Sequence, residues 1–217
     1  METELELKKI EEEIASCNKC PLGKTATSPV PGNGSPKAEI MFIGEAPGYW
    51  EDQKGIPFCG AAGKLLDELL SLINLKREDV FVANILKHRP PNNRDPLPDE
   101  IEACNGYLDR QLQAVNPQAI VALGRFAMAK FLPYGKISRD HGIARLIDYN
   151  DHGYIFVPMF HPAAALRSGE VGKQLRQDFI KLPEEIERLK NPGLPKKENE
   201  GKTVADSQIK NEQLELI

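Results

Sequence analysis

The chain has 217 residues, 41% of them hydrophobic, and a formal net charge of −4. That length buries a core of ordinary size as one domain, and it holds no run of about 18 apolar residues that would form a membrane-spanning helix. The acidic balance excludes nucleic-acid binding by bulk positive charge, so any such contact needs a local basic patch.

The first residues, Met1-Glu2-Thr3-Glu4-Leu5, are acidic and carry no apolar signal core. No secretory leader is expected, and the cytoplasm is the expected compartment. The four cysteines are reduced there, which favours a metal or cluster over disulfides. Residues 4 to 16 set Leu5, Leu7, Ile10 and Ile14 among Glu and Lys, with spacings of three and four that predict an amphipathic helix. Cys17-Asn18-Lys19-Cys20 comes next. A C-x-x-C pair brings two thiolates close enough to serve one metal centre. The competing reading, thioredoxin-like redox chemistry, wants the pair between a strand and a helix, and here a helix precedes it. Residues 23 to 37 are rich in Gly, Pro, Ser and Thr and read as a loop.

Four short apolar segments then read as strands: Ala38 to Gly44, Val80 to Ile85, Ala119 to Leu123 and Tyr154 to Phe160. Their Val, Ile and Phe content suits strands buried on both faces. Helical patterns separate them, at Ala61 to Ile73, Asp99 to Val115 and Arg125 to Leu132, and Gly172 to Leu189 closes the series. Alternation of strand and helix predicts an α/β fold whose parallel sheet is covered on both faces. Tyr134 to Asp151 is less regular, with room for extra short strands. Residues 1–190 form one domain. Residues 191–217 are rich in Lys, Glu, Asn and Gln with few apolar groups, and read as a disordered tail. Its end, Leu214-Glu215-Leu216-Ile217, is a candidate motif for a protein partner.

In a parallel sheet, ligands bind beyond the carboxyl ends of the strands. The first strand delivers Glu45-Ala46-Pro47-Gly48, the second Asn84, the third Gly124-Arg125 and the fourth His161-Pro162. Lys87, Arg89, Arg94, Arg125 and Arg167 lie close by in sequence and give the edge a basic surround. Taken singly, Glu45 is as well explained as a helix cap, Asn84 as a partner of loop amides and His161 as a satisfied buried residue. Three polar groups at the same edge shift the balance towards a site. Their chemistry is definite. An amide reads a nucleobase or similar imide edge, an imidazole donor stabilises charge on a leaving oxygen, and a carboxylate orients water or supports a developing cation. Neither G-x-x-x-x-G-K-[ST] nor, after the first strand, G-x-G-x-x-G occurs, which argues against an NTPase or a nicotinamide enzyme. Two ligand sets close a four-ligand centre, Cys17, Cys20, His88 and Cys104 or Cys17, Cys20, Cys59 and Cys104, and spacing does not separate zinc from an iron–sulfur cluster.

Several ordered motifs run through residues 5 to 190: Cys17-x-x-Cys20-Pro21-Leu22, Val30-Pro31-Gly32, Gly44-Glu45-Ala46-Pro47-Gly48-x-x-Glu51-Asp52, Gly55-x-Pro57-Phe58-x-Gly60-x-Ala62-Gly63, Asn84-x-x-Lys87-x-Arg89-Pro90-Pro91-x-Asn93-Arg94, Cys104 and His161-Pro162. In these the chain resembles the family 4 uracil-DNA glycosylases, the iron–sulfur type of that superfamily. The resemblance implies a three-layer α/β/α sandwich with a central four-stranded parallel sheet, a [4Fe–4S] cluster, and hydrolysis of the bond between uracil and deoxyribose in DNA, the opening step of base-excision repair. It implies catalytic roles for Glu45 and His161. It places Phe58 as the base-stacking aromatic, Asn84 as the edge-reading amide, Ala46 as a main-chain contact, Glu51 as a wall near uracil C5, and Pro162 in the loop at the DNA minor groove. Extrusion of the nucleotide into a pocket is the physical requirement, because the bond is shielded in a duplex. Arg125, Arg167 and Lys173 are candidates for phosphate contacts. Uracil-containing DNA is thus the expected partner of a monomer at the nucleoid, with the tail available to a replication or repair protein.

The chain departs from the family at one position. His88 stands where the family usually has a cluster cysteine, as in the related branch resembling uracil-DNA-crosslinking glycosylases. Cys17, Cys20, His88 and Cys104 are therefore the expected ligands. That branch's second, covalently bonding His has no counterpart in residues 89 to 98, so irreversible cross-linking is not expected. No pocket-motif lysine is marked as a Schiff-base nucleophile, which predicts a monofunctional enzyme. The rival readings are a non-catalytic module that binds uracil-DNA or accompanies a polymerase, and an iron–sulfur redox protein.

Overall fold

A computed structural model describes residues 2–191. The predicted tail therefore lies outside the described residues, except for Asn191, which ends the last helix. The chain opens with α1 (Glu2–Ala15) and the short α2 (Leu22–Thr25), then a two-residue strand β1 (Asn33–Gly34) and β2 (Ile40–Gly44). Helices α3 (Tyr49–Lys54) and α4 (Ala61–Leu72) lead to β3 (Phe81–Asn84), and α5 (Pro98–Val115) leads to β4 (Ala119–Leu123). After α6 (Arg125–Phe131) and α7 (Ile137–Asp140) come β5 (Arg145–Tyr149) and β6 (His152–Met159), and then α8 (Pro162–Ala165) and α9 (Gly169–Lys190).

The strands form one sheet in the order β1-β3-β2-β4-β6-β5. Its four inner strands, β3, β2, β4 and β6, run parallel as expected, while β1 and β5 are antiparallel additions at the edges. Alternate side chains feed two cores. Met41, Ile43, Ala83, Ile120 and Phe156 pack with α1, α5 and α6 residues such as Ile10, Leu108 and Met128. Phe42, Val82, Val121 and Val157 pack with α4 and α9 through Leu66, Leu70, Leu175 and Phe179. Phe42 and Phe179 stack with ring centroids 5.8 Å apart, so α9, the last of the described helices, is fixed to the sheet centre.

The chain leaves β2 for β3 on one side and later takes up β4 on the other. Loops after β2 and β4 therefore diverge and open a crevice at the carboxyl edge, the position where open α/β sheets bind ligands. Among the described residues, no helix is long and apolar enough to cross a membrane.

Candidate active site

The crevice is a cavity of about 490 Å³. Its wall takes Glu45, Ala46 and Glu51 from the segment after β2, Phe58 from the turn before α4, Asn84 from the end of β3 and His161 from the end of β6. Six of the seven residues expected at the pocket thus meet. Pro162 does not line the cavity: it is buried at the first position of α8, where its fixed φ starts the helix.

Asn84 ends a fully buried strand and is itself buried. Its Oδ1 has no hydrogen-bond partner within the protein. Such an acceptor is costly unless a ligand satisfies it. A Cβ on Gly44 would lie 2.4 Å from this Oδ1 and 2.6 Å from the Phe58 ring, so glycine at the end of β2 is what lets amide and ring stand side by side. Phe58 has a φ of 51°, a conformation unfavourable for a bulky side chain. Its neighbours impose it. Arg77 Nη2 donates to the Phe58 carbonyl at 2.6 Å, Glu51 Oε1 accepts from the Cys59 and Gly60 amides at 3.0 Å each, and a Cβ on Gly63 would strike the same Phe58 carbonyl. Glu51 is therefore a clamp on the Phe58 turn as well as a wall of the cavity.

His161 faces Phe58 with ring centroids 5.5 Å apart and planes 25° off parallel. Its Nδ1 accepts from the Ala163 amide at 3.1 Å, so in the neutral ring the proton sits on Nε2. Enclosure by protein around the ring, with Arg167 adding to it, pulls His161 down to about 4. At neutral pH the residue is an uncharged imidazole offering one N–H donor. Glu45 is half-buried, and burial pushes its carboxyl up, Asp95 adding and Arg125 opposing. Asp95 and Arg125 pair with each other on the cavity wall. Neither Asp95 nor Arg77 was singled out by sequence reasoning. The Asp67 carboxylate that holds Arg77 at 3.0 Å lies ten residues away, a link with no sequence pattern.

The basic surround is smaller than the sequence suggests. Lys87 is wholly buried, not a surface cation. Its Nζ donates to the Asn84 carbonyl at 2.8 Å and to Gln111 Oε1 at 2.7 Å. Burial brings it down to about 7 against the pull of Cys104. Arg94 is paired bidentately with Glu100 at 2.6 and 2.9 Å. Arg125 and Arg167 remain at the cavity mouth.

The cysteines divide into two places. Cys17 and Cys20 at the end of α1 and buried Cys104 on α5 share the α1–α5 core. Burial raises the Cys104 thiol; the Lys87 backbone N–H lowers it, and Cys20 and Cys17 raise it further. Tyr107 closes the group with a hydrogen bond to Cys17. Cys59 sits by the cavity instead, where its electrostatic neighbours are Glu51, Lys54 and Arg77. His88 is buried next in chain to Lys87, its imidazole lowered by burial and raised by Asp52. Among the described residues, no three His, Cys, Asp or Glu side chains converge on one metal-ion position. Cys17, Cys20 and Cys104 thus occupy one corner of the core, which Cys59 does not share.

The sequence profile of the uracil DNA glycosylase superfamily matches residues 31–183. Three relatives are each named type-4 uracil-DNA glycosylase. That of Archaeoglobus fulgidus is 51% identical over 178 residues, 79% of this chain and 89% of the relative. That of Sulfurisphaera tokodaii is 47% identical over 184 residues, 82% of this chain and 84% of the relative. That of Saccharolobus solfataricus is 45% identical over 188 residues, 82% of this chain and 85% of the relative.

Proposed function

The chain belongs to the uracil DNA glycosylase superfamily, and from that premise we propose that its cavity hydrolyses the N-glycosidic bond of deoxyuridine in DNA, with a distinct role for each wall. The extruded base lies on the Phe58 ring. The Asn84 amide, whose Oδ1 lacks any other partner, pairs with the imide edge. As the C1′–N1 bond breaks, its electron pair passes to uracil, and the charge collects on the carbonyl oxygen that the His161 Nε2–H meets. A neutral donor set in place before the reaction stabilises this anion without reorganisation. Glu45 stands on the sugar side, where its carboxylate orients the water that adds to C1′ and takes up its proton. Ala46 supplies main-chain contact, and the walls formed by Glu51 and Phe58 limit the space for the base. Among the described residues, no lysine lines the cavity, and the amine nearest the reading amide, Lys87, is occupied by two acceptors. Water is accordingly the nucleophile, and the enzyme is monofunctional.

Cys17, Cys20, Cys104 and His88 would hold a [4Fe–4S] cluster; the grouping of the three thiols supports this, and His88 follows Lys87, whose backbone N–H meets Cys104. Such a group supplies a covalent tie between the end of α1, the loop after β3 and α5; the hydrolysis itself moves no electrons. Leu166, exposed just beyond α8, is suited to fill the gap left in the base stack.

The observation that carries the assignment is the fixed tautomer of His161 in the same cavity as the unpartnered Asn84 oxygen. Incubation with an oligonucleotide containing one uracil, and then treatment with alkali, tests it. Strand scission at the uracil position, dependent on alkali, is expected. Absence of any alkali-labile site would leave only the binding-module reading.

A further inference from the structure

Two large aromatic side chains next to the cavity take no part in the excision chemistry. Tyr49 and Trp50 open α3 directly after Gly48, a cavity residue, and are 51% and 56% exposed. They touch edge to face, with ring centroids 5.1 Å apart and planes 79° apart. The Arg89 guanidinium lies over the Tyr49 ring at 5.1 Å. Single exposed apolar residues are ordinary, but contiguous exposed rings beside a ligand cavity mark a binding surface.

The pair is also linked by contacts to the cavity. Trp50 lies beside Gly60, where a Cβ would be in ordinary van der Waals contact with the indole at 3.4 Å. Gly60 is in turn held by the Glu51 carboxylate that clamps the Phe58 turn. On the other side, Arg89 Nε donates to Asn93 Oδ1 at 2.7 Å, and Asn93 lines the cavity. Flat hydrophobic faces beside a cation match the chemistry of an unpaired nucleobase on a phosphate backbone, and such stacking is tolerant of sequence.

We propose that Tyr49 and Trp50 form a second base-binding surface, on which an unpaired nucleobase flanking the extruded uridine stacks. This rests on the excision reading and adds a substrate preference to it. In a duplex the flanking base is already stacked and paired; in a single strand it is free to take the platform. Single-stranded uracil-DNA is therefore the better-bound form.

Trp50 is the only tryptophan in the chain, so its fluorescence reports on the platform directly. The probe is a single-stranded oligonucleotide carrying 2′-fluoro-deoxyuridine, whose electron-withdrawing fluorine blocks hydrolysis. Binding is measured independently by anisotropy of a terminal dye. Trp50 emission is expected to shift with the same midpoint as the anisotropy, and to stay unmoved when base-free linkers replace the nucleotides on both sides of the uridine. Combined Tyr49→Ala and Trp50→Ala substitution is expected to weaken single-strand binding about tenfold. Tyr49→Phe with Trp50→Phe retains wild-type affinity, and Tyr134→Ala, which removes a 95% exposed ring elsewhere, changes nothing. Emission that is unmoved by saturating DNA, equal affinity in the alanine variant, or emission that tracks protein concentration instead of DNA would overturn the proposal, the last by placing a second copy of the chain on the rings. Uracil release by the wild type is measured in parallel. Its absence defeats the excision reading, whereas a silent Trp50 in an active enzyme defeats the platform alone.

Discussion

The cavity and the thiol corner lie within one residue's reach of each other and are built in opposite ways. Around the cavity, side chains are fixed by directed contacts: His161 by the Ala163 amide, the Phe58 turn by Arg77 and Glu51, the strand end that bears Asn84 by Lys87. Around Cys17, Cys20 and Cys104, the end of α1, the loop after β3 and α5 meet mainly through hydrophobic packing, with Tyr107 bonded to Cys17 and the Lys87 backbone N–H to Cys104. The first arrangement presets an electrostatic environment and matters at the transition state. The second joins distant parts of the chain and matters to folding. Lys87 belongs to both, since its backbone N–H meets Cys104 and its ammonium meets the Asn84 carbonyl.

The largest effect that would break this division lies in the cavity. His161→Ala should lower kcat by roughly 10²–10³, the usual loss on removing one donor to a developing anion, while the melting temperature holds. A matching drop in melting temperature would show that the residue is structural. Next in size is His88→Ala, expected to lose iron and sulfide and to lower the melting temperature by roughly 10 °C. Cys59→Ala should retain both, because its neighbours are Glu51, Lys54 and Arg77. Iron analysis and calorimetry on the two variants decide between the ligand sets, and the reverse pattern would exchange them.

Lys87→Met sharpens the comparison because it touches the bridge. It leaves the Asn84 carbonyl and Gln111 Oε1 without their donor, and about a tenfold fall in kcat/KM is expected, with KM carrying most of it. A smaller effect concerns pH. The Glu45 carboxyl is raised by burial, and it must be ionised to orient water, so activity should fall with acid above the ordinary carboxylate range. His161, at about 4, stays neutral through that interval and adds no loss. Glu45→Gln should flatten the acid limb of the kcat profile. A limb that survives the substitution would assign it to another group.

The inner sheet and the three groups at its edge were legible because they obey a pattern. Four buried strands are visible as apolar runs, and the residues just past each run must appear at one edge of a parallel sheet. Glu45, Asn84 and His161 were found in that way. The edge strands were less legible: β1 falls in a segment read as a loop, and β5 was foreseen only as room for short strands between Tyr134 and Asp151. Asn33–Gly34 has no apolar signal, and Arg145–Tyr149 alternates between exposed and half-buried residues, with charges within the pattern. Helix Tyr49–Lys54 is too short to show a period, so a segment read only as a motif spacer carries two exposed rings. Lys87 shows the limit most clearly. In a loop with Arg89 and Arg94 it reads as a solvated cation, and only its acceptors, the Asn84 carbonyl and a glutamine 24 residues away, make burial possible. Arg77 was invisible for a related reason, since its target is the backbone of a residue 19 positions earlier.

The central element is the neutral imidazole at the end of β6, its tautomer fixed by a backbone amide. Nitrogen-15 NMR of the His161 ring in the free enzyme tests this most directly. One protonated nitrogen, Nε2, is predicted from about pH 5 to pH 8, with protonation of Nδ1 only on approach to about pH 4. A ring protonated on both nitrogens at about pH 6, or carrying its proton on Nδ1, would contradict the account.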